Sequence, residues 1–277
     1  MQAMSKKPRP SKLWTPRPIF FNEKSKGKMI EGSVLICTLR PEMVTAGYAQ
    51  CLAMLCLENP YNAIIGYHGA RTARSALGRQ RIIEDAFLPS PAEYLLWIDS
   101  DMVFTPQTFS LIYEEMLTQR HNGVQCGITN ALAFMYSEAE QKVLPNCFFR
   151  NPVNGLHEVR AEYRQGERFW CDATGVAFTL IHREVFDAVG SPYHQDWVKH
   201  PDTGVQMGHD VHFFYEASKH GYRVRYCADA QTGHMKMFAV DENMWLNYLG
   251  QVKTRMAQIK AEEGVVQAEV VDDAATS

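Results

Sequence analysis

Short apolar runs alternate with helical patterns along most of the chain. Residues 33–39 (SVLICTL), 62–68 (NAIIGYH) and 94–99 (YLLWID) are rich in branched and aromatic residues, a composition typical of strands. The pattern predicts a helix opened by Pro41 and running to about Leu57 between the first two runs, and a second helix over residues 70–87. Strands that alternate with helices predict crossover connections and a mostly parallel sheet.

The third run and its sequel give the clearest local pattern. Residues 94–99 do not alternate between polar and apolar types, which predicts a strand buried on both faces. Thr105 and Pro106 suit the N-cap and the first position of a helix. The helix would place five apolar residues on one face: Phe109, Ile112, Tyr113, Met116 and Leu117. A fourth strand is predicted at residues 123–129 (GVQCGIT).

The second half of the chain repeats these patterns. Gly175 opens a strand that leads into a helix ending at Gly190. Another helix starts near Gly208 and stops at Gly221, and a strand follows at residues 222–228. One face of this later helix would carry Val211, Phe214, Tyr215 and Ser218. We therefore expect a single α/β domain with a mostly parallel, Rossmann-like sheet flanked by helices.

The two ends of the chain differ from the middle in charge. Residues 1–28 carry eight Lys and Arg against one Glu, together with four prolines, which predicts a basic N-terminal arm over residues 1–32. Residues 251–277 predict an acidic C-terminal tail. The folded domain is expected over residues 33–250.

Overall composition narrows the class of protein. Of 277 residues, 46% are hydrophobic and the net charge is only −3, so the chain can bury a core and is no general nucleic-acid-binding polycation. Its seven cysteines show no Cys-x-x-Cys spacing, which favours reduced, packed thiols. No apolar run approaches the roughly 20 residues of a membrane span. We expect a soluble, cytoplasmic protein.

Two carboxylates follow the buried third strand directly. Asp99 and Asp101 are separated by Ser100, and in an open α/β sheet ligands collect at the carboxyl ends of strands. Strand alternation would turn both carboxylates to one side, where a divalent cation would offset their repulsion. Hard oxygen ligands suit Mg²⁺ or Mn²⁺, whose remaining positions substrate phosphates often fill. The alternative is that both residues only cap the following helix.

Two further polar residues lie where loops meet helices and strands. Asp210 falls in the first turn of the predicted helix near Gly208, where the helix dipole stabilises an anion. His234 follows the strand at 222–228 within TGHMK. Each has a structural alternative, a helix cap for Asp210 and a surface side chain for His234.

The order of these features resembles that of glycosyltransferases with the GT-A fold, and specifically the family-2-like nucleotide-sugar transferases. WIDSD, GHDVHFFYEASKHGY and TGHMK occur in the order of that family's Asp-x-Asp, Gly-x-Asp and late Gly-His motifs, within residues 33–240. The sequence departs from the family pattern at His209, where relatives usually carry Glu, and at Ser75, where relatives often carry Asn after Arg.

The resemblance implies a role for each matching residue. Asp101 would bind the metal, Asp99 would contact the nucleotide ribose or the metal through water, and His234 would be the late metal ligand. The cofactor would be Mn²⁺ or Mg²⁺, and the donor a nucleoside-diphosphate sugar, with UDP the commonest nucleotide. Further donor-binding candidates are two residues near the base, Thr38 and Arg40, and two near the phosphates, Arg74 and Lys236.

The same resemblance implies where transfer occurs. Asp210 would act as general base for an acceptor hydroxyl in an inverting enzyme, or would position a sugar in a retaining one. A glycine-containing loop would line the donor sugar, with Asp172, Thr174 and Gly175 as its candidates. Trp170 is either a stacking platform or a core residue. Acceptor specificity is expected in the polar segments 135–168 and 191–207.

The expected function is that of a hexosyltransferase-like glycosyltransferase. The basic arm, with Trp14 and two phenylalanines among its cations, suggests nucleic-acid contact and an acceptor hydroxyl on a hydroxymethylated DNA base, unless it serves only solubility. Three alternatives stay open: a sugar-nucleotide nucleotidyltransferase, a metal-dependent hydrolase using His209, Asp210 and His212, and a non-catalytic nucleotide-sugar binding module.

Overall fold

The computed structural model describes residues 28–40, 43–71, 74–137, 142–160, 162–201, 203–235, 249–250, 252–254 and 256. The chain divides into two compact units, Met1–Met235 and Lys236–Ser277. The described residues of the second unit are helical. Most of the predicted basic arm and acidic tail lies outside the described residues, and so does Lys236. The elements and contacts that follow belong to the first unit.

Helices and strands alternate in the first half of this unit, and short strands intervene before its later helices. The described helices are α1 Ala46–Glu58, α2 Ser75–Ile82, α3 Pro106–His121, α4 Arg183–Val189 and α5 His209–Lys219. A 3₁₀ turn at Pro60–Asn62 follows α1, and a π turn at Ile83–Phe87 extends α2. The described strands are β1 Ile30–Arg40, β2 Ile64–Arg71, β3 Ala92–Ile98, β4 Met102–Val103, β5 Ile128–Leu132, β6 Phe134–Ser137, β7 Lys142–Pro145, β8 Cys147–Arg150, β9 His157–Val159, β10 Arg168–Cys171, β11 Ala173–Thr174, β12 Phe178–His182, β13 Val224–Gln231 and β14 Gly233–His234.

Seven strands form the central sheet, in the order β10-β13-β5-β12-β3-β1-β2. β1 is parallel to β2 and β3, whereas β12 is antiparallel to β3 and β5. β13 is parallel to β5 and antiparallel to β10. Five strands therefore run in one direction, and only β12 and β10 oppose them. The predicted mostly parallel α/β sheet is confirmed.

Three small sheets lie beside the large one: β11-β8-β9, β14-β4 and β6-β7. Four of their strands, β6 to β9, fall in or overlap the segment 135–168, for which the sequence indicates only polar or irregular structure. Antiparallel hairpins of three or four residues are too short for their side-chain alternation to stand out.

Capping side chains decide where two of the helices begin. The Thr45 hydroxyl accepts a hydrogen bond from the Tyr48 backbone at 3.1 Å, so α1 starts at Ala46 and not at Pro41 as predicted. Thr105 and Thr108 form a reciprocal capping box ahead of Pro106, which confirms the predicted start of α3. The helix predicted from residue 70 starts only at Ser75, because β2 continues to Arg71.

The core lies on both faces of the sheet, and β3 is buried over its whole length as predicted. Four of the five apolar residues predicted on one face of α3 are buried, but Leu117 is 39% exposed. On α5 the buried set also includes Phe213 and Ala217, outside the predicted face. The seven cysteines are all free, and five of them are buried.

A single arginine fixes the connection that leads into β3. The Arg183 guanidinium donates hydrogen bonds of 2.6 to 3.1 Å to backbone carbonyls at the end of the π turn and the start of the strand: Phe87, Leu88, Ser90 and Ala92. Because Arg183 begins α4, its hydrogen bonds connect that helix to the start of β3.

None of the helices in the described ranges has the length and apolar character that a bilayer crossing requires.

Candidate active site

Asp99 and Asp101 lie in the turn that joins β3 to β4. β3 ends at Ile98, and the Met102 backbone donates to the Asp99 carbonyl at 3.2 Å, which closes the turn. The prediction that strand alternation orients both carboxylates is wrong, because neither residue belongs to a strand. Each carboxylate has a different partner.

The partner of Asp101 is His234. β14 pairs with β4 in antiparallel register, and the Met235 backbone donates to the Asp101 carbonyl at 2.8 Å. These contacts bring His234 Nε2 to 2.8 Å from Asp101 Oδ2. The structure therefore joins two residues that lie 133 positions apart in the sequence.

The second nitrogen of His234 indicates where one ring proton lies. His234 Nδ1 lies 2.9 Å from the Phe134 carbonyl oxygen, which can only accept, so Nδ1 carries a proton and donates it. In the neutral ring, Nε2 then presents a lone pair to the Asp101 carboxylate. Two acceptors at 2.8 Å repel each other unless a proton or a cation lies between them. Orientation of an imidazole by a backbone carbonyl is also the usual support of a metal-ligating histidine.

The partner of Asp99 is Arg79, which the sequence analysis missed. The Arg79 side chain is 5% exposed, and its Nη2 lies 2.9 Å from Asp99 Oδ1. Its Nη1 forms an ion pair with Asp210 Oδ1. Burial by itself lowers the pKa of the guanidinium, but Asp210 and Asp99 outweigh burial and raise it. Arg79 is thus a fixed cation shared by two carboxylates.

One sequence signal could have found Arg79. Along α2 and the π turn, Ala76, Arg79, Ile82 and Ile83 are buried and follow the spacing of one helical face. An arginine in the middle of an apolar face is rarely buried without a partner. That position therefore predicts buried carboxylates nearby.

The carboxylate of Asp99 holds its proton more tightly than an ordinary aspartate. Burial raises its pKa to about 6, with Asp210 and Asp101 adding to the rise and Arg79 opposing it. The effect of Asp210 and Asp101 shows that Asp99 lies within electrostatic reach of both. Asp99 therefore couples the Asp101–His234 pair to the Arg79–Asp210 pair electrostatically.

Asp210 lies in the first turn of α5 and faces several polar groups. Burial favours its neutral form, but Arg79 and His209 outweigh burial, so the pKa of Asp210 lies far below its usual range. His209 Nδ1 lies 2.7 Å from Asp210 Oδ1, and the Val176 backbone donates to Asp210 Oδ2 at 3.5 Å. Asp210 is therefore an ionised carboxylate held by a buried guanidinium.

His209 extends this group of contacts toward the surface. Its Nε2 lies 2.7 Å from the hydroxyl of Ser75, the first residue of α2. On the inner side, the fully buried His194 places Nδ1 at 3.3 Å from the His209 carbonyl, and burial lowers its pKa to about 3. The two residues at which the sequence departs from the family pattern, Ser75 and His209, are thus in direct contact.

His194, His209 and Asp210 each offer one possible ligand atom within 4.8 Å of the others. Arg79 already places a cationic group against Asp210 in this space, which disfavours a metal ion there. His212, a member of the cluster considered for a hydrolase, lies on another side of α5, with Nε2 3.6 Å from Glu216.

Comparison with known proteins gives a match at the level of the fold alone. No protein-family model and no curated protein matches the sequence. Among solved structures, GalNAc-T7 with UDP, GalNAc and Mn²⁺ superposes with a TM-score of 0.51 at 12% identity, over 74% of this chain and 43% of that one. A197 from STIV superposes with a TM-score of 0.48 at 16% identity, over 74% of this chain and 86% of that one.

The fold is GT-A-like. This agrees with the predicted fold class, while membership of family 2 stays a prediction. The Asp99–Asp101 turn follows β3 of the large sheet, and β14 of the small β14-β4 sheet supplies His234 beside it.

The predicted sugar-binding loop makes structural contacts in this fold. Asp172 Oδ1 lies 3.0 Å from Arg223 Nε, and its Oδ2 accepts from the Arg150 backbone at 2.8 Å. The buried Thr174 hydroxyl lies 2.8 Å from the Tyr226 hydroxyl. No contact of Asp172 or Thr174 in the described residues reaches Asp99, Asp101 or Asp210, so both remain predictions as donor-binding residues.

Gly175 and Trp170 each make contacts that explain the residue type at that position. The Gly175 backbone donates to Asn146 Oδ1 at 2.9 Å, and a Cβ at Gly175 would lie 2.3 Å from Asn146 Nδ2. Only glycine fits this position unless Asn146 moves, and Gly175 directly precedes Val176, which contacts Asp210. The Trp170 ring is half-buried under Arg225, whose guanidinium carbon lies 5.2 Å from the ring centre.

The remaining donor-binding candidates lie around the ends of β1 and β2. The Thr38 hydroxyl is buried at 2.7 Å from the Tyr48 hydroxyl, so it supports the fold. Arg40 is the last residue of β1, and its Nε is buried beside Gly69. Arg74 is exposed and directly precedes α2. Arg40 ends a strand and Arg74 follows one at the carboxyl edge of the sheet, and both remain predictions as donor-binding residues.

Proposed function

We propose that this protein is a metal-dependent glycosyltransferase that moves a sugar from a nucleoside-diphosphate sugar to an acceptor hydroxyl. The observation that supports it most directly is the 2.8 Å contact between His234 Nε2 and Asp101 Oδ2 at the carboxyl end of β3. The GT-A-like fold agrees with this reading. UDP is the nucleotide to test first, since the structural neighbour GalNAc-T7 was solved with UDP and Mn²⁺.

The residues present fit a divalent cation. His234 is oriented by the Phe134 carbonyl so that its Nε2 lone pair faces a carboxylate, an arrangement that a cation would stabilise. Asp101 and His234 would hold Mn²⁺ or Mg²⁺, with Asp99 as the nearby second carboxylate. When bound, the ion supplies charge that stabilises the departing diphosphate.

The other groups bind and orient the substrates. The Asp99 carboxylate, anchored through Arg79, accepts a hydrogen bond from the nucleotide ribose. Arg40 and Arg74 supply positive charge for the diphosphate or contacts to the base, and Lys236, which lies outside the described residues, stays a candidate from the sequence alone. The start of α5, with His209 and Asp210, supplies the base that removes the acceptor proton.

Release of nucleoside diphosphate tests the proposal. A panel of UDP-sugars with Mn²⁺ is expected to yield UDP, and Asp101→Asn to lower the rate by about 100-fold or more, because a group that stabilises the departing charge is lost. The matched control is Asp187→Asn, which alters an exposed carboxylate on α4. Donor binding without UDP release for any acceptor would favour the binding module, and release of pyrophosphate from UTP and a sugar phosphate would favour the nucleotidyltransferase.

The acceptor hydroxyl is proposed to lie on a hydroxymethylated DNA base. Support comes from the sequence of residues 1–28, whose eight cations and interspersed aromatics match a phosphate-backbone contact. Removal of residues 1–28 is expected to weaken binding to hydroxymethylated DNA in a salt-dependent way and to reduce transfer to it. Unchanged binding and transfer in the truncated protein would refute the role of the arm.

A further inference from the structure

The base for the acceptor hydroxyl can be narrowed to one residue. By family resemblance it would be Asp210, but Asp210 Oδ1 forms an ion pair with the buried Arg79 and lies 2.7 Å from His209 Nδ1. Oδ2 faces the Val176 backbone. A carboxylate paired with a buried guanidinium is a weak proton acceptor, because protonation would break that ion pair.

His209 has the geometry that a base requires. Its Nδ1 lies 2.7 Å from the ionised carboxylate of Asp210; this contact lacks the alignment of a hydrogen bond, but the negative charge favours the tautomer that carries the proton on Nδ1. The lone pair of Nε2 then points outward, and it meets a hydroxyl, that of Ser75, at 2.7 Å. Ser75 is exposed, so the outer side of the His209 ring is open to a ligand from solvent.

The neighbouring groups do not offer a better base. His194 is completely buried, and its Nδ1 is directed at the His209 carbonyl, so no acceptor could reach it. Arg79 contacts Asp210 from α2 and carries a permanent positive charge. His212 faces Glu216. Among the described residues, the charged or titratable groups that these contacts bring near the His209 ring are Asp210, Arg79 and His194.

We infer that His209 is the catalytic base of the proposed transfer, with Asp210 as its positioning residue and the Ser75 hydroxyl marking where the acceptor hydroxyl binds. The inference rests on the proposed function. The acceptor O–H bond breaks and its proton passes to His209 Nε2. The oxygen forms a bond to the anomeric carbon, and the bond from that carbon to the phosphate oxygen breaks, its electron pair leaving on the nucleoside diphosphate. This order of events inverts the anomeric configuration.

The test uses the full chain with Mn²⁺ and the UDP-sugar that gives most UDP release, with water as acceptor if no other is found. His209→Gln is expected to lose at least about 100-fold in turnover, the lower range for general-base catalysis. Donor binding, measured as thermal stabilisation, should be unchanged. His220→Gln, at the exposed C-terminal end of the same helix, is the matched control.

Chemical rescue separates a base from a structural residue. Imidazole added to His209→Ala should restore part of the turnover. The inference is overturned if His209→Gln stays within threefold of the parent, or if imidazole fails to raise turnover in a His209→Ala protein that still binds donor. If the parent shows neither donor binding nor UDP release, the proposed function itself fails and the inference with it.

Discussion

Arg79 holds together two carboxylates that would otherwise repel each other. Its guanidinium contacts Asp99 and Asp210 while its own side chain is 5% exposed. Neither carboxylate has a second cationic partner of comparable burial in the described residues. The pair of contacts couples the turn after β3 to the start of α5.

Replacing Arg79 by Met is expected to destabilise the fold by about 3 kcal/mol, since removal of the buried guanidinium leaves two partly buried carboxylates without their cation. Urea unfolding measures this loss. Arg81→Met, an exposed arginine on the same helix, should change the free energy of unfolding by less than about 0.5 kcal/mol. Adding Asp210→Asn to Arg79→Met should recover part of the loss, and strictly additive effects of the two changes would contradict the coupling.

His194 makes stability depend on pH in a specific range. Burial lowers its pKa from 6.5 to about 3, so below pH 6.5 the unfolded chain binds a proton that the folded chain does not. Stability is therefore lost as pH falls from 6.5 toward 3, by up to about 1.4 kcal/mol per pH unit from this one group.

The comparison with His194→Gln isolates that effect from those of other groups. Between pH 6.5 and 4, the free energy of unfolding of the parent should fall more steeply than that of the variant. Asp99, whose pKa is raised to about 6, acts in the opposite direction but is present in both proteins. Parallel curves over this range would show that His194 does not set the pH dependence.

At the scale of elements, Arg183 connects α4 to the entry of β3. Its guanidinium donates to four backbone carbonyls between the π turn and the start of β3, of which that of Phe87 also accepts from the Ser90 backbone and hydroxyl. Arg183→Met is expected to cost about 2–4 kcal/mol of stability, because unsatisfied carbonyls cost more than one lost hydrogen bond. Urea unfolding against Arg164→Met, an exposed arginine, is the comparison, and equal midpoints for the two variants would refute this role.

The same elements show what the sequence could and could not predict. β3 and α3 were predicted because a continuous apolar run and a Thr-Pro cap act locally. The start of α1 was misplaced, because the choice between Pro41 and Thr45 depends on which residue supplies a cap. The direction of β12 could not be predicted, since it depends on how the chain returns to the sheet.

The rest of the candidate site could not be predicted, because it depends on contacts between segments that are distant in the sequence. Asp99 and Asp101 could be singled out because they follow a recognisable strand. Their different partners, Arg79 and His234, come from α2 and β14, and no local pattern links those elements to the turn. His194 lies in an irregular loop and gave no signal at all.

At the scale of the whole molecule, ligand binding and unfolding are linked. A ligand that binds only the folded chain adds about 2.7 kcal/mol of stability at 100 times its dissociation constant. For a domain of this size that corresponds to a rise of about 5–10 °C in the unfolding midpoint. If Asp101 and His234 hold the cation, UDP should produce this rise with Mn²⁺ and a much smaller one with EDTA.

Single substitutions test which residues the Mn²⁺-dependent rise in the unfolding midpoint requires. His234→Gln should remove the part of the UDP-induced rise that depends on Mn²⁺, while His121→Gln, at the exposed end of α3, should keep it. His209→Gln should also keep it, because His209 is proposed to act on the acceptor and not on the diphosphate. A Mn²⁺-dependent rise that survives in His234→Gln but disappears in His209→Gln would move the metal to the cluster of His194, His209 and Asp210, and would refute the site at the end of β3.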